Sequence, residues 1–214
     1  VGATEPLDLA GPAGRLEALL MRPEAEPVAA AVFLHAHPLH GGMMHFKAVF
    51  RAAKALQEQA LAVLRFNFRG VGRSEGVHDH GRGEGDDAAA ALDEMERRFP
   101  GRPLVLGGFS FGAEVALRVG AAQPRVRALV VLGFPLLRAG DTSFLARLRT
   151  PRLFVQGEND EFGDGQAMRA LVESLPDPKR FVVVPGSDHF FAGHLHMLQE
   201  EVARWAASRP WEVP

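Results

Sequence analysis

Short, nearly continuous apolar runs alternate along the chain with longer segments in which apolar positions recur every three or four residues. The first kind predicts strands at 29–34, 61–66, 103–109, 127–133, 152–156 and 180–184. The second predicts helices at 45–59, 84–98, 111–122, 164–175 and 190–207, with a short helix at 142–148. Ahead of these, residues 4–10 and 14–21 are half-apolar runs separated by Gly11–Pro12–Ala13–Gly14, where Gly and Pro supply the turn of an antiparallel hairpin.

Strands separated by helices are joined by crossovers and therefore pair mainly in parallel, with helices covering both faces. Leu104–Val105–Leu106 and Phe181–Val182–Val183–Val184, apolar on both alternating faces, suit strands buried in such a sheet. The expected fold is α/β, a mostly parallel twisted sheet with an N-terminal antiparallel hairpin and helices on both sides. Ligands of such sheets sit beyond the carboxyl ends of the strands, so chemistry is to be sought in the loops that follow them.

At 214 residues, 47% hydrophobic and 23% charged, the chain suits one globular domain spanning 1–214. A formal charge of −2 gives no electrostatic reason for a nucleic-acid or anionic-membrane partner, which leaves a small molecule as the expected partner and says nothing of oligomeric state. No stretch is long and apolar enough to cross a bilayer, and residues 1–8 lack a signal-like pattern, so the expectation is a soluble cytoplasmic protein. The chain contains no cysteine, which excludes thiolate nucleophiles, disulfides and cysteine-ligated metal sites. Any covalent catalyst must be an oxygen or nitrogen nucleophile.

One such oxygen sits in Gly108–Phe109–Ser110–Phe111–Gly112, a G-x-S-x-G between a predicted strand and a predicted helix. In that setting the motif makes a sharp turn that holds the serine hydroxyl clear of the backbone, whereas the bland alternative is a serine that caps a helix. A serine hydroxyl needs a base to take its proton, and the base needs a carboxylate to hold its tautomer. Later loops supply both. Strand 152–156 runs into Gly157–Glu158–Asn159–Asp160, and strand 180–184 into Pro185–Gly186–Ser187–Asp188–His189. Asp160 is assigned as the acid and His189 as the base, with Glu158 a substitute acid and Asp188 less suited because adjacent side chains point apart. His194 and His196 read as surface or packing residues of the following helix.

With "HPLHGG" at 37–42, "RFNFRGVGRSEG" at 65–76, "GGFSFG" at 107–112, "GENDEF" at 157–162 and "GSDHFF" at 186–191, the chain resembles the α/β-hydrolases over essentially its full length. It is most similar to the small, lidless bacterial members related to dienelactone hydrolases and simple carboxylesterases. The resemblance implies a serine hydrolase acting through an acyl-enzyme, and leaves esters, thioesters, lactones and amides open as substrates. It implies no cofactor. A cap would be inserted at 134–150, which has room for one short helix, so no substantial cap domain is expected.

Acyl transfer also needs donors aimed at the oxygen that becomes negative. One is expected to be the backbone N–H of Phe111, and the second should come from the loop "HAHPLHGG" at 35–42; Pro38 has no N–H, and Leu39 is favoured. His40, Met43, Met44, Phe46, Phe134, Phe162 and Phe190 are expected to line the cleft, though each could equally be core.

Two decoys need weighing. His35, His37 and His40 superficially resemble the H-x-H-x-D-H zinc motif of metallo-β-lactamase-like hydrolases, but Leu39 stands at the acidic position and the element order differs. No metal site is assigned. Gly70–Val71–Gly72–Arg73–Ser74–Glu75–Gly76 falls one glycine short of a dinucleotide-binding turn and reads as a flexible turn near the rim of the site, with His78–Asp79–His80 as solvated loop. The expected activity is hydrolysis of small carboxylic esters of short acyl or aromatic type. Thioesterase, lactonase or peptidase action on the same site is the alternative within the enzyme class, and a non-catalytic binding protein on the same fold is the alternative outside it.

Overall fold

The computed structural model describes residues 2–212. Eight strands form one sheet: β1 (Thr4–Gly11), β2 (Gly14–Met21), β3 (Ala29–Leu34), β4 (Leu61–Phe66), β5 (Leu104–Phe109), β6 (Val126–Leu132), β7 (Arg152–Gly157) and β8 (Lys179–Val184), in spatial order β1-β2-β4-β3-β5-β6-β7-β8. The β1–β2 hairpin and the β2–β4 pair are antiparallel, and every later pairing is parallel. The hairpin caps one edge. Five helices accompany the sheet: α1 (Lys47–Glu58), α2 (Arg82–Arg98), α3 (Phe111–Ala122), α4 (Gly165–Ser174) and α5 (Leu195–Ala207).

Strand side chains alternate between two buried clusters, which is why the central runs are apolar at every position. Val32, Leu34, Leu64, Leu106 and Val131 join Leu92, Met95 and Leu117 of α2 and α3 on one face. On the other, Phe33, Val63, Val105, Val130 and Val155 meet Val49 and Leu56 of α1 and Leu198, Val202 and Trp205 of α5. Between β6 and β7 there is only a single-turn 3-10 segment, Ser143–Arg147, and no cap. Among the described residues no helix is long and apolar enough to cross a membrane.

The element order matches expectation, and the departures have local causes. The last helix begins at Leu195 instead of 190, because Phe191 (φ 55) and Gly193 (φ 75) leave the helical region and turn the chain. A 3-10 turn at Pro38–His40, ended by Gly41 in the left-handed conformation, also went unpredicted. The 70–76 loop lies against the hairpin, not at the rim of the site. Ser74 Oγ donates to Asn67 O and accepts from Glu17 N, and Glu75 accepts from Arg15 N, so the loop is pinned by hydrogen bonds. The parallel register sets the ends of β3, β5, β6, β7 and β8 along one edge, where the site lies.

Candidate functional site

Ser110 follows the last residue of β5 and precedes the first of α3, at φ 57 and ψ −120. A non-glycine residue here costs on the order of 1–3 kcal/mol and persists only where its surroundings enforce it. The enforcement is visible in the two motif glycines. A Cβ at Gly108 would lie 2.2 Å from the Gly112 carbonyl oxygen, and one at Gly112 would lie 2.5 Å from that of His35. No side chain fits at either position, so the turn stays tight and Ser110 projects from its apex.

His189 arrives on the turn after β8 and Asp160 on the loop after β7. The imidazole Nδ1–H donates to Asp160 Oδ2 at 2.8 Å, which leaves Nε2 free to accept from the Ser110 hydroxyl at 2.9 Å. Asp160 Oδ2 also accepts from Gln156 Nε2 at 2.7 Å, and Oδ1 from the Phe162 amide at 2.8 Å. The carboxylate is fully buried, and its two oxygens are committed to three donors. Phe109, Phe162 and Phe190 surround the imidazole, with ring centroids 5.1, 4.6 and 5.2 Å away. The two substitute carboxylates weighed from the sequence are engaged elsewhere. Glu158 accepts from the Gly186 amide, and Asp188 from the Ala192 amide.

Gln156 was not singled out from the sequence. It is buried in β7, accepts from the Phe134 amide and donates to the Phe134 and Gly163 carbonyls as well as to Asp160, so it locks the acid's loop to the strand. A glutamine within a strand carries no sequence signal for that role.

Ser110, Phe111 and His189 open onto a cleft of about 460 Å³. Of the residues considered for the lining, His40, Phe46, Phe162 and Phe190 lie on its wall, while Met43 lines an adjoining groove. Contrary to the expectation from the sequence, Met44 and Phe134 do not line it but belong to the core, 2% and 1% exposed. The Met44 backbone is held by Asn67 and Arg65 of the β4 end, and that of Phe134 by Gln156, which turns both side chains inward.

Leu39 does not offer the expected donor either. Its N–H donates to His37 Nδ1 at 3.2 Å, its side chain is 68% exposed, and it is absent from the cleft wall. Phe111 and His37 are among the residues of that wall whose backbone N–H groups have no acceptor among the described residues, as are Ala36, His78, His80, His189 and Phe190; of these, Phe111 follows Ser110 directly and His37 lies in the loop after β3. Within the His78–Asp79–His80 loop, Asp79 and His80 are exposed, whereas the His78 side chain is not. The His78 side chain is 7% exposed, its Nδ1 lies 2.7 Å from the buried Glu84 carboxylate, and both His78 and His80 face the cleft.

The histidines after β3 have separate tasks. His35 is buried; Nε2 accepts from the Phe68 amide at 3.0 Å and Nδ1–H donates to the Ala36 carbonyl, so both ring nitrogens are occupied. His37 stacks on His40 with centroids 4.5 Å apart. Among the described residues no three His, Asp or Glu side chains are arranged to hold a metal ion.

Burial lowers the His35 pKa to about 4, outweighing the opposing effects of the Ala36 carbonyl and Glu84. Because the unfolded ring takes up its proton near pH 6.5, the neutral ring's contribution is complete above that value and lost as the pH falls toward 4. This amounts to about 3 kcal/mol. Urea unfolding at pH 7 and pH 4 should therefore show a smaller loss of stability in His35→Gln than in the unaltered protein. Equal losses in the two would contradict the assignment.

A family model described as an alpha/beta hydrolase domain matches residues 29–206. An α/β serine hydrolase homologue from Coxiella burnetii superposes with a TM-score of 0.87 at 39% identity, covering 94% of this chain and 96% of that one. A Xanthomonas campestris protein described as an α/β serine hydrolase without lid gives 0.87 at 36% identity, covering 99% and 97%. An uncharacterized protein of Rickettsia prowazekii is 36% identical over 190 residues, 85% of this chain and 79% of its own length.

Proposed function

The chain belongs to the α/β-hydrolase family, and we propose that it is a serine hydrolase of small carboxylic esters in which Ser110 is the nucleophile, His189 the base and Asp160 the acid. The observation that carries the reading is the continuous path from Ser110 Oγ through both nitrogens of His189 to Asp160 Oδ2, with the serine at a strained, glycine-enforced turn. A helix-capping serine would need neither the imidazole nor the backbone strain.

In this reading the Ser110 oxygen attacks the ester carbonyl while His189 Nε2 takes its proton. The Asp160 carboxylate then faces an imidazolium, whose charge it stabilises in a buried setting. The carbonyl oxygen becomes an oxyanion held by the N–H groups of Phe111 and His37, the first of them at the positive end of the α3 dipole. As the tetrahedral intermediate collapses, His189 returns the proton to the departing alcohol. Water, deprotonated by the same imidazole, releases the acid and regenerates Ser110. Every proton transfer is supplied by the chain's own side chains.

His37 permits a direct test of the oxyanion donor. Its φ of −55 is one proline can adopt, so His37→Pro removes the N–H without demanding a new backbone conformation at that residue. His37→Ala removes the ring and keeps the N–H. The proline variant is expected to lose roughly 100- to 1000-fold in kcat beyond the alanine variant, the usual cost of one lost oxyanion donor. Equal rates in the two would place the second donor elsewhere.

The same machinery would cleave thioesters, lactones or activated amides, and a panel of these beside p-nitrophenyl acetate defines the preferred bond. A binding-only reading predicts no turnover on any of them.

A further inference from the structure

Beside the cleft runs a second depression of about 590 Å³, bounded by the loop after β3 and the turn after β8. Met43, Phe46, Phe190, Ala192 and Leu195 supply its apolar surface. Phe46 and Phe190 belong to both the groove and the cleft. Their rings are 6.0 Å apart, and Phe190 lies 5.2 Å from the His189 ring. Met43 and Phe190 remain 44% and 47% exposed. Apolar surface of this kind, left open next to a reactive group, commonly marks a place where a ligand is buried.

The position of the groove limits what can fill it. An ester held at Ser110 has two arms, and the departing oxygen must lie close to His189 Nε2 to receive its proton. Phe190, the next residue, forms one wall of the groove, so an arm passing over Phe190 and Phe46 enters it without crossing the imidazole-lined part of the cleft. That opposite part is polar, formed by His37, His40, His78 and His80 with the guanidinium of Arg138. An uncharged alkyl chain laid along Met43, Phe190 and Leu195 would displace water from a mainly apolar surface, where His45 and Lys47 are the polar lining residues, whereas on the histidine side it would strip hydration from several imidazole nitrogens.

We propose that this groove is an alkyl-binding subsite that makes the enzyme prefer esters with an unbranched arm of medium length over acetate or methyl esters. The proposal rests on the serine-esterase reading above and goes beyond it by assigning a substrate shape. Each methylene taken out of water is worth a factor of about four in kcat/KM. The rise ends where the arm outgrows the groove. Met43 suits such a floor, because its unbranched thioether side chain adjusts to chains of different length.

The test measures kcat/KM along two series at concentrations below substrate aggregation: p-nitrophenyl acetate, butyrate, hexanoate and octanoate, and methyl, butyl and hexyl acetates. The first lengthens the acyl arm and the second the alcohol arm. A rise along either series identifies the occupant. Ala192→Trp places an indole in the groove from an exposed position, and the octanoate-to-acetate ratio, or the hexyl-to-methyl ratio if the alcohol arm is the occupant, should then fall about tenfold or more. Met43→Glu, which puts a charge on the apolar floor, should lower the same ratio. Hydrolysis of acetate with flat profiles in both series, or ratios unchanged in both variants, overturns the groove proposal alone. Absence of turnover on every ester overturns the esterase reading and the groove with it.

Discussion

Ser110→Ala is expected to lower kcat for p-nitrophenyl acetate by about 10⁴-fold or more while leaving the fold intact. The rate effect is large because no other group can take over. The chain has no cysteine, and Ser187, the serine nearest His189 in sequence, is buried with its Oγ donating to the Asp188 carbonyl. The structural effect should be small. The Ser110 hydroxyl makes one hydrogen bond within the protein, to His189, and alanine keeps the Cβ that already occupies the strained conformation. Unchanged circular dichroism and thermal midpoint beside the lost activity would assign the effect to chemistry. Undiminished hydrolysis in the folded variant would remove Ser110 from the mechanism.

Asp160→Asn should cost about 10⁴-fold in kcat, and the reason lies in how the carboxylate is surrounded. Three donors converge on it: His189 Nδ1 and Gln156 Nε2 on Oδ2, and the Phe162 amide on Oδ1. An asparagine must put its NH₂ on one side or the other. Facing Phe162, it sets two donors against each other and displaces the loop. Facing His189, it opposes Gln156 and drives the imidazole to the tautomer that carries its proton on Nε2, which cannot then accept from Ser110. Either arrangement leaves a buried donor unpaired, at about 1–3 kcal/mol of stability. The prediction is therefore a joint loss of rate and of unfolding free energy, measured by steady-state kinetics and urea titration. Retention of both would mean that the carboxylate does not orient the ring.

The parts of this site legible in the sequence are those with local or topological causes. Gly108 and Gly112 announce a tight strand-to-helix turn because their spacing and the following apolar helix are contiguous. Asp160 and His189 stand out because loops after parallel strands share one edge, so residues far apart along the chain meet there. What stayed hidden depends on orientation. Excluding Pro38 points to Leu39 as an oxyanion donor, yet no sequence pattern reveals that the ring of His37 captures the Leu39 N–H. Met44 and Phe134 are as hydrophobic as Phe46 and Phe190, and only the hydrogen bonds of their backbones decide which side chains turn toward the core. His78 reads as solvated because its partner, Glu84, lies in the first turn of α2, where charged residues ordinarily face solvent. The late start of α5 follows the same rule: the positive φ of Phe191 is imposed by the turn that carries His189 and Phe190, not by the residue's own preference.

The most direct measurement of the central claim, that Ser110, His189 and Asp160 act as one unit, is covalent trapping with a fluorophosphonate ester followed by peptide mapping. The account predicts a single phosphonyl adduct on the Ser110 hydroxyl, formed rapidly in the unaltered protein, slowed by excess p-nitrophenyl acetate and nearly abolished in His189→Ala. An unmodified Ser110 in protein that hydrolyses esters, or labelling at the same rate in His189→Ala, would contradict it.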